Sequence, residues 1–477
     1  MKPLDDSFLN TEEKALLATI GAAADALGVK ARVVGGYVRD KLLGRPTKDA
    51  DTVCEGDGIL LAHEVAKAFT PRPKVAFFKA FGTAQIRLPN GFEVEFVGAR
   101  KESYRGESRK PDVETGTFNE DEARRDFTIN ALSIPLGKAV PLQIHDPFGG
   151  LEDLKNGLIR TPLDPDVTFS DDPLRAMRAA RFAAQLGFDI EAGTRAAMQR
   201  TAPRLSIVSQ ERITDELNKI MASPKPSIGF IHLYDTGLLA QFFPQLPALA
   251  GVEMVEGKGH KDNFYHTLQV LDNVAARSGN LWLRWAALLH DIAKPATKKF
   301  EAGKGWTFHG HDAVGERMVP KIFKALKLPL GEPMKYVAKL VGLHLRPISL
   351  SKEDITDSAM RRLLVDAGED LEDLMLLCES DITSKNETKV RRYLQNFALV
   401  KERLVEVEEK DAMRAWQPPL SGDDIMQLFG LSPGREVGVL KQAVRDAILD
   451  GDIANTREAA EEFVRGLVAR RSEGTVG

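Results

Sequence analysis

The sequence predicts an α+β domain followed by helices alone, and two patterns carry that prediction. From residue 31 to about 145, short β-prone runs alternate with turns: 75–78 (VAFF), 83–88 (TAQIRL) and 91–99 (GFEVEFVGA), with Pro89-Asn90-Gly91 as a hairpin turn. After residue 151 the apolar spacing is helical almost throughout, and connectors bearing Gly or Pro (DPFGGL, TPLDPD, MASPKPS, FFPQLP) separate the helices. A chain of 477 residues has room for three or four folding units. We divide it into a head at 1–155, a helical neck at 156–250, a histidine-bearing helical domain at 251–400 and a helical tail at 401–477.

Composition narrows the class. Hydrophobic residues at 43% and charged residues at 28% are the balance of an ordinary globular protein. The net charge of −4 argues against broad polyanion binding and leaves local basic patches as the route to nucleic acid. No run approaches about 18 uninterrupted apolar residues, so no membrane crossing is expected. The opening MKPLDDSFLNTEEK lacks the basic-then-apolar pattern of a secretory signal. Cys54 and Cys378 stand far apart and offer no disulfide framework, which fits a reducing, cytoplasmic setting.

Residues 7–28 read as an amphipathic helix anchored by Leu16, Leu17, Ile20 and Leu27. Val33 and Val34 then form a short strand that runs through Gly35-Gly36 into a helix. Glycine lets the backbone approach a ligand and a helix N-terminus offers unpaired amides, so this unit suits a phosphate. Asp49 follows thirteen residues after Gly36, with Asp51 two further on. On a strand at 49–53 both carboxylates project from one face. Two hard oxygen ligands beside a phosphate cradle describe a magnesium site for phosphoryl chemistry. GxxxxGK[ST] and GxGxxG are absent, so this is neither a P-loop nor a dinucleotide turn. It fits a site where two carboxylates hold metal ions that activate a hydroxyl against a nucleotide α-phosphate.

Glu93 and Glu95 share a face of the second hairpin strand, where Glu95 is either a third carboxylate near the metals or a surface glutamate. Residues 101–123, polar and charge-rich, read as a mobile loop beside the site. Ser170 suits a helix N-cap, with Asp171 and Asp172 in the positive first turn and Pro173 tolerated there. Arg175, Arg178 and Arg181 then recur every third residue, each about 60° round the helix from the last, as a slowly winding basic stripe.

The segments VVGGYVRDKLLGRPTKDAD (33–51), RRDFTINAL (124–132) and DDPLRAMRAARF (171–182) closely resemble those of the bacterial class II tRNA nucleotidyltransferases, the CCA-adding enzymes. That family shares its head with bacterial poly(A) polymerases and, more distantly, with DNA polymerase beta. The resemblance covers roughly the first half of the chain. It implies a polymerase beta-like nucleotidyltransferase head on an all-α neck, with Mg2+ held by Asp49 and Asp51. It also implies that Gly35, Gly36 and Arg39 meet the incoming triphosphate, and that Arg125 serves ribose and phosphate with Asp126 and Asn130 beside it. The helix after Asp172 is implied to be a protein template: Asp172 and Arg175 read the Watson–Crick edges of cytosine and adenine, and Arg178 supports the nucleotide. Many relatives begin this motif with Glu-Asp, where this chain has Asp171-Asp172. The implied reaction is template-independent addition of C, C and A to the 3′ end of tRNA from CTP and ATP, with the 101–123 loop reshaping the pocket between the two. The alternative is a poly(A) polymerase or a partial enzyme adding only CC or only A. VAFFKAFGTAQI lacks the arginine pair usual in poly(A) relatives, and CC-only relatives tend to lack the long polar loop.

The third domain carries its own constellation: His266, His290-Asp291, His309, His311, His344 and Asp381. Neutral imidazoles and carboxylates bind divalent transition metals and leave water as the nucleophile. This order resembles the HD phosphohydrolase superfamily. The resemblance implies His266, His290, Asp291 and Asp381 as core ligands, with His311 (Gly315 four residues on) and His344 as the extra ligands of two-metal members. His309 matches nothing. The implied second activity is that of a phosphatase or cyclic phosphodiesterase. An inert domain that holds tRNA, or a phosphohydrolase whose head senses nucleotides, are the other readings. In the tail, Ser421 caps an apolar helix that Gly430, Pro433 and Gly434 break, either to present amides to RNA phosphates or to pack.

Overall fold

Asn10 opens the first helix, Thr11–Leu27, through a reciprocal box: its side chain accepts from the Glu13 amide at 2.8 Å while the Glu13 carboxylate accepts from the Asn10 amide. Leu16, Leu17 and Ile20 are buried as the spacing requires, whereas Leu27 is 38% exposed because Ala23 and Ala24 take the last inward positions before Gly28 ends the helix. The computed structural model describes residues 2–3, 8–78, 82–105, 108–138, 140, 142–350, 356–383, 387–411 and 416–473, so the expected helix start at residue 7 lies outside them. Two units result, Met1–Pro247 and Ala248–Gly477.

In the first unit the strands longer than two residues are β1 (Ala31–Val34), β2 (Asp49–Cys54), β3 (Val75–Phe78), β4 (Thr83–Arg87), β5 (Glu93–Gly98), β6 (Arg100–Arg105), β7 (Ser108–Thr115) and β8 (Ser133–Leu136). Six of them form a mixed sheet in the order β3-β4-β5-β2-β1-β8, with β2 and β5 parallel. Leu16, Ile20, Leu61, Val65, Val33, Ala50, Val94 and Phe96 share one buried cluster between the helices Thr11–Leu27 and Gly58–Ala66 and the sheet. Ala50 points into that cluster, so alternation turns Asp49 and Asp51 to the other face. The Pro89–Gly91 turn sits where expected: the Gly91 amide donates to the Leu88 carbonyl at 2.9 Å with φ +84°.

The reading of 101–123 as a loop is overturned. β6 and β7 pair antiparallel, with an irregularity between Ser103 and Arg105, and a helix follows at Phe118–Ala123. Thr117 and Glu120 cap that helix reciprocally. A two-stranded ribbon pairs one edge of each strand and leaves the other to solvent, so it carries no apolar run for a sequence pattern to detect.

The helix start at Ser170 is likewise corrected. Ser170 and Asp171 end a short helix, Pro165–Asp171, which Asp164 caps. The chain is extended at Asp172 (φ −136°, ψ 98°), and the arginine helix runs over Leu174–Leu186. Pro173 explains the break, because a proline disfavours helical backbone at the residue before it. The Asp172 carboxylate then accepts the Leu174 amide at 3.1 Å and takes the capping role itself. The neck continues with helices Ala192–Thr201, Gln210–Met221, Pro226–Asp235 and Leu238–Phe242.

The second unit holds helices Asn263–Ala275, Leu281–Leu289, His311–Ala325, Glu332–Leu343 and Leu371–Asp381, with small hairpins at Met254–Gly259 and Lys299–Thr307. Its tail helices Gly422–Phe429, Arg435–Asp450 and Arg457–Glu473 enclose their own cluster of Leu420, Ile425, Leu440, Val444, Ile448 and Val464. Ser421 caps its helix as expected, in a reciprocal box with Asp424, and Gly430 (φ +64°) ends the helix. Among the described residues no helix is long and apolar enough to cross a membrane.

Candidate active site and metal centre

Gly35 stands at φ +71° between β1 and the helix Gly36–Leu42, and its amide donates to the Leu132 carbonyl at 3.0 Å. A Cβ there would lie 2.9 Å from Arg125 Nη1, so the turn needs glycine both for its backbone and for the close arginine. Beside it, register sets Asp51 opposite Val34 on β1 and Glu95 on β5, while Asp49 faces Glu93. The protein packed around Asp51, with Glu95 and Asp49 close by, pushes its carboxyl up to about 6 while Arg125 pulls the other way. A buried carboxylate whose proton affinity is raised by like charges beside it is matched to a cation, and an all-oxygen set suits a hard divalent ion.

Around this pair most of the arginines are held by a side-chain partner. Arg39 Nη1 donates to Asn130 Oδ1 at 2.6 Å, and its Nε and Nη2 grip Asp40 at 2.9 Å each. Arg124 and Arg125 share Asp121, which is buried on the helix Phe118–Ala123. Burial alone would raise the Asp121 carboxyl, but the two guanidinium groups hold it below the ordinary range. Asp126 accepts from the Phe127 amide and Asn130 Nδ2 at 2.9 Å, and from Arg178 Nε at 2.7 Å and Nη2 at 2.6 Å. Arg181 pairs with Glu216 and lies over the Phe182 ring. Asp172 meets Arg212 at 3.4 Å. Among the described residues, no hydrogen bond or ion pair holds the Arg175 guanidinium.

One cleft of about 1060 Å³ gathers Gly35, Gly36, Arg39, Asp49, Asp51, Arg125, Asp126, Asn130, Asp172, Arg175 and Arg178. All the residues expected at the nucleotide site therefore face one space, although motifs up to 143 residues apart supply them. Sequence reasoning missed Lys48, Arg124, Arg212 and Lys219, which line the same cleft. Lys48 and Arg124 lie inside recognised motifs, at 33–51 and 124–132. Arg212 and Lys219 come from a helix that carries no motif, so only tertiary packing reveals them.

In the second unit, His266 Nε2 lies 2.8 Å from Asp381 Oδ1 and 3.5 Å from Asp291 Oδ2. His290 Nε2 is 3.2 Å from Asp291 Oδ2, and His311 Nε2 is 3.2 Å from Asp291 Oδ1. Two ligand groups result: His266, His290 and Asp381, and Asp291, His311 and His344. His290, His311 and His344 each place Nδ1 at 2.7–2.8 Å from the carbonyl three residues back, at Ala287, Phe308 and Val341. Their Nε2 atoms are buried and have no hydrogen-bond partner. Orphaned imidazole nitrogens facing carboxylates fit a divalent metal, and the outer Nδ1 bonds fix the tautomer that leaves Nε2 free to ligate. Burial would lower His290, but Asp291 and Asp381 outweigh it and push it up to about 10. All six expected ligands converge. His309 stays outside, exposed and 3.8 Å from Glu301.

The cradle, carboxylate pair and arginine helix define a nucleotidyltransferase-type head, and the histidine cluster an HD-type helical domain. Residues 31–160 match the family described as Poly A polymerase head domain, 187–249 the probable RNA- and SrmB-binding site of polymerase A, and 263–384 the HD domain. The A-adding tRNA nucleotidyltransferase of Deinococcus radiodurans is 35% identical over 371 residues, covering 76% of this chain and 81% of that protein. The multifunctional CCA protein of Pseudomonas paraeruginosa is 34% identical, covering 66% and 77%. The solved Bacillus stearothermophilus CCA-adding enzyme in complex with CTP shares the fold with TM-score 0.62 at 24% identity, covering 98% and 100%. The Thermotoga maritima CCA-adding enzyme complexed with tRNA has TM-score 0.58 at 20% identity, covering 96% of each. The chain belongs to the tRNA nucleotidyltransferase/poly(A) polymerase family, with a polymerase beta-like head and an HD domain.

Proposed function

We propose that this protein adds C, C and A to the 3′ end of tRNA from CTP and ATP without a nucleic-acid template. The observation that carries the reading is the single cleft in which the carboxylate pair, the Gly35-Gly36 turn and the Asp172–Arg175 segment face one another. Magnesium held by Asp49 and Asp51 would polarise the α-phosphate and lower the pKa of the primer hydroxyl. Arg39 and Arg125, each already oriented by a carboxylate, receive the triphosphate beside the Gly36 amide. Asp172 and Arg175 read the base edge, and Arg175 is the guanidinium left available for it. Asp126 and Arg178 brace each other, so we assign them to holding the template helix on the head rather than to direct contact with the nucleotide.

Purified protein incubated with tRNA lacking its terminal CCA, with each NTP alone and combined, tests this. Extension by three nucleotides with CTP and ATP together supports the reading. A second reading, addition of A alone, is favoured by the likeness to the Deinococcus protein. It predicts extension only of tRNA already ending in CC.

The HD cluster we assign to a transition divalent ion that would supply bound water as nucleophile on 2′,3′-cyclic or terminal phosphates of a damaged tRNA end. Within this reading the head spans 1–155, the neck 156–250, the HD domain 251–400 and the tail 401–477. A cytoplasmic setting fits tRNA as partner. In the tail, the apolar cluster around Leu420 and Ile425 supports packing as the role of the Gly430–Gly434 break.

A further inference from the structure

The HD cluster is closed on one side and open on another. His290 and Asp291 expose 0% and 2% of their side chains, while Asp381 and Lys294 expose 17% and 18%. Two lysines stand at the open side. Lys294 Nζ donates to Asp291 Oδ2 at 2.5 Å, and Lys261 Nζ lies 3.0 Å from His266 Nδ1 and 2.9 Å from the Thr383 carbonyl. Beside them runs a row of half-buried rings. Lys294 lies over Phe308 at 5.6 Å, Phe308 meets His260 edge-on at 5.8 Å, and His260 meets Trp306 edge-on at 5.6 Å. The row is tied to the ligands at two points: the Phe308 carbonyl accepts His311 Nδ1, and His260 is followed by Lys261, whose Nζ meets His266. Trp306 is fixed by its Nε1 donating to the Glu253 carbonyl at 3.1 Å.

Ammonium groups beside a metal cluster suit a phosphate, and adjoining rings suit a base, because every nucleobase has a face that stacks. We propose that Lys261, His260, Phe308 and Trp306 form a nucleoside subsite of the HD centre. The site then selects a phosphate carried on a terminal nucleoside over the same phosphate without a base. This rests on the phosphohydrolase reading of the cluster.

The test uses the full-length, metal-loaded protein and calorimetric titration with cytidine 2′-phosphate, adenosine 2′-phosphate and inorganic phosphate, with metal content measured on every variant. The nucleotides should bind wild type more tightly than inorganic phosphate. Phe308→Ala and Trp306→Leu should each weaken nucleotide binding by about 5- to 100-fold, the range for loss of one base stack, and change phosphate binding less than about twofold. Lys261→Ala should weaken both ligands. Trp306→Phe, which keeps a ring and the hairpin packing, should restore most of the affinity. Equal affinity for nucleotide and phosphate, or equal weakening of both by the ring variants, overturns the subsite while leaving the hydrolase reading intact. A wild-type protein that takes up no metal overturns that reading, and the subsite with it.

Discussion

Asp126→Ala is the most informative single perturbation of the head, because Asp126 joins the motif at 124–132 to the arginine helix. The substitution strands four donors: the Phe127 amide, Asn130 Nδ2, and Arg178 Nε and Nη2. Removing one partner of a buried pair costs about 3–5 kcal/mol. A third of the Arg178 side chain (34%) still reaches water, which softens the penalty on the stranded guanidinium, so about 2–4 kcal/mol is expected. Arg178→Ala should cost a similar amount, and the double variant little more than either, with a coupling of about 2 kcal/mol. All four tryptophans lie at 282, 285, 306 and 416, so their emission follows the second unit only. Urea unfolding by circular dichroism should therefore show a shifted transition that tryptophan emission does not share. Burial alone would raise the Asp126 carboxyl, but Arg178, Asn130 and Arg175 hold it below the ordinary range. A depressed carboxylate stabilises the fold above its unfolded value of about 3.9, and that contribution is lost as pH falls through the folded value. The gap between wild type and Asp126→Asn should accordingly narrow below about pH 4. A cost under about 0.5 kcal/mol, or strict additivity with Arg178→Ala, would refute the brace and return Asp126 to a direct nucleotide role.

Three further outcomes follow from the two sites. Asp49→Ala or Asp51→Ala should slow nucleotide addition at least about a thousandfold, the several kcal/mol that a bound metal contributes, with tRNA affinity kept in gel-shift titrations; near-normal extension would remove the metal assignment. Asp172→Ala or Arg175→Ala should admit UTP or GTP, a loss of about 1–3 kcal/mol in discrimination, read by primer extension with single nucleotides. A uniformly slower enzyme of unchanged selectivity would make that segment structural. His290→Ala combined with Asp291→Ala should empty the HD cluster of metal by elemental analysis and end phosphohydrolysis, while nucleotide addition stays within about twofold, since the ligands of the two sites differ in chemistry and lie in different units.

Much of the head was legible because its chemistry is carried by local geometry. A strand places Asp49 and Asp51 on one face whatever the rest of the chain does, and a Gly-Gly turn before a helix needs no tertiary partner to be recognised. The helix boundary at 170–174 was misread for a local reason as well. Ser170 followed by two aspartates satisfies a capping pattern, but the restriction that Pro173 imposes on Asp172 outweighs it. The ribbon at 100–115 was invisible because self-paired strands need no apolar alternation. The Asp126–Arg178 pair and the contributions of Arg212 and Lys219 were beyond sequence reasoning altogether. They join residues 52 positions apart, or come from a helix without a motif, and charged residues of that kind look like a solvated face until packing places them.

The HD cluster shows how a sparse pattern becomes a ligand set. His290 and His344 are the first residues past the helices Leu281–Leu289 and Glu332–Leu343, and His311 is the first residue of the helix His311–Ala325. Each imidazole spends Nδ1 on the carbonyl three residues back, a bond available wherever a helix or tight turn leaves that carbonyl near. The same local device therefore orients three rings from three separate elements, and each ring presents its bare Nε2 inward. Three such nitrogens buried without a well-formed hydrogen bond, two of them only beside the Asp291 carboxylate, would be costly in an inert scaffold, where apolar residues of similar volume pack as well. Asp291 and Asp381 then fix the charge of what belongs between them. The donor set of each group, His266, His290 and Asp381 on one side and Asp291, His311 and His344 on the other, matches what a divalent transition ion takes.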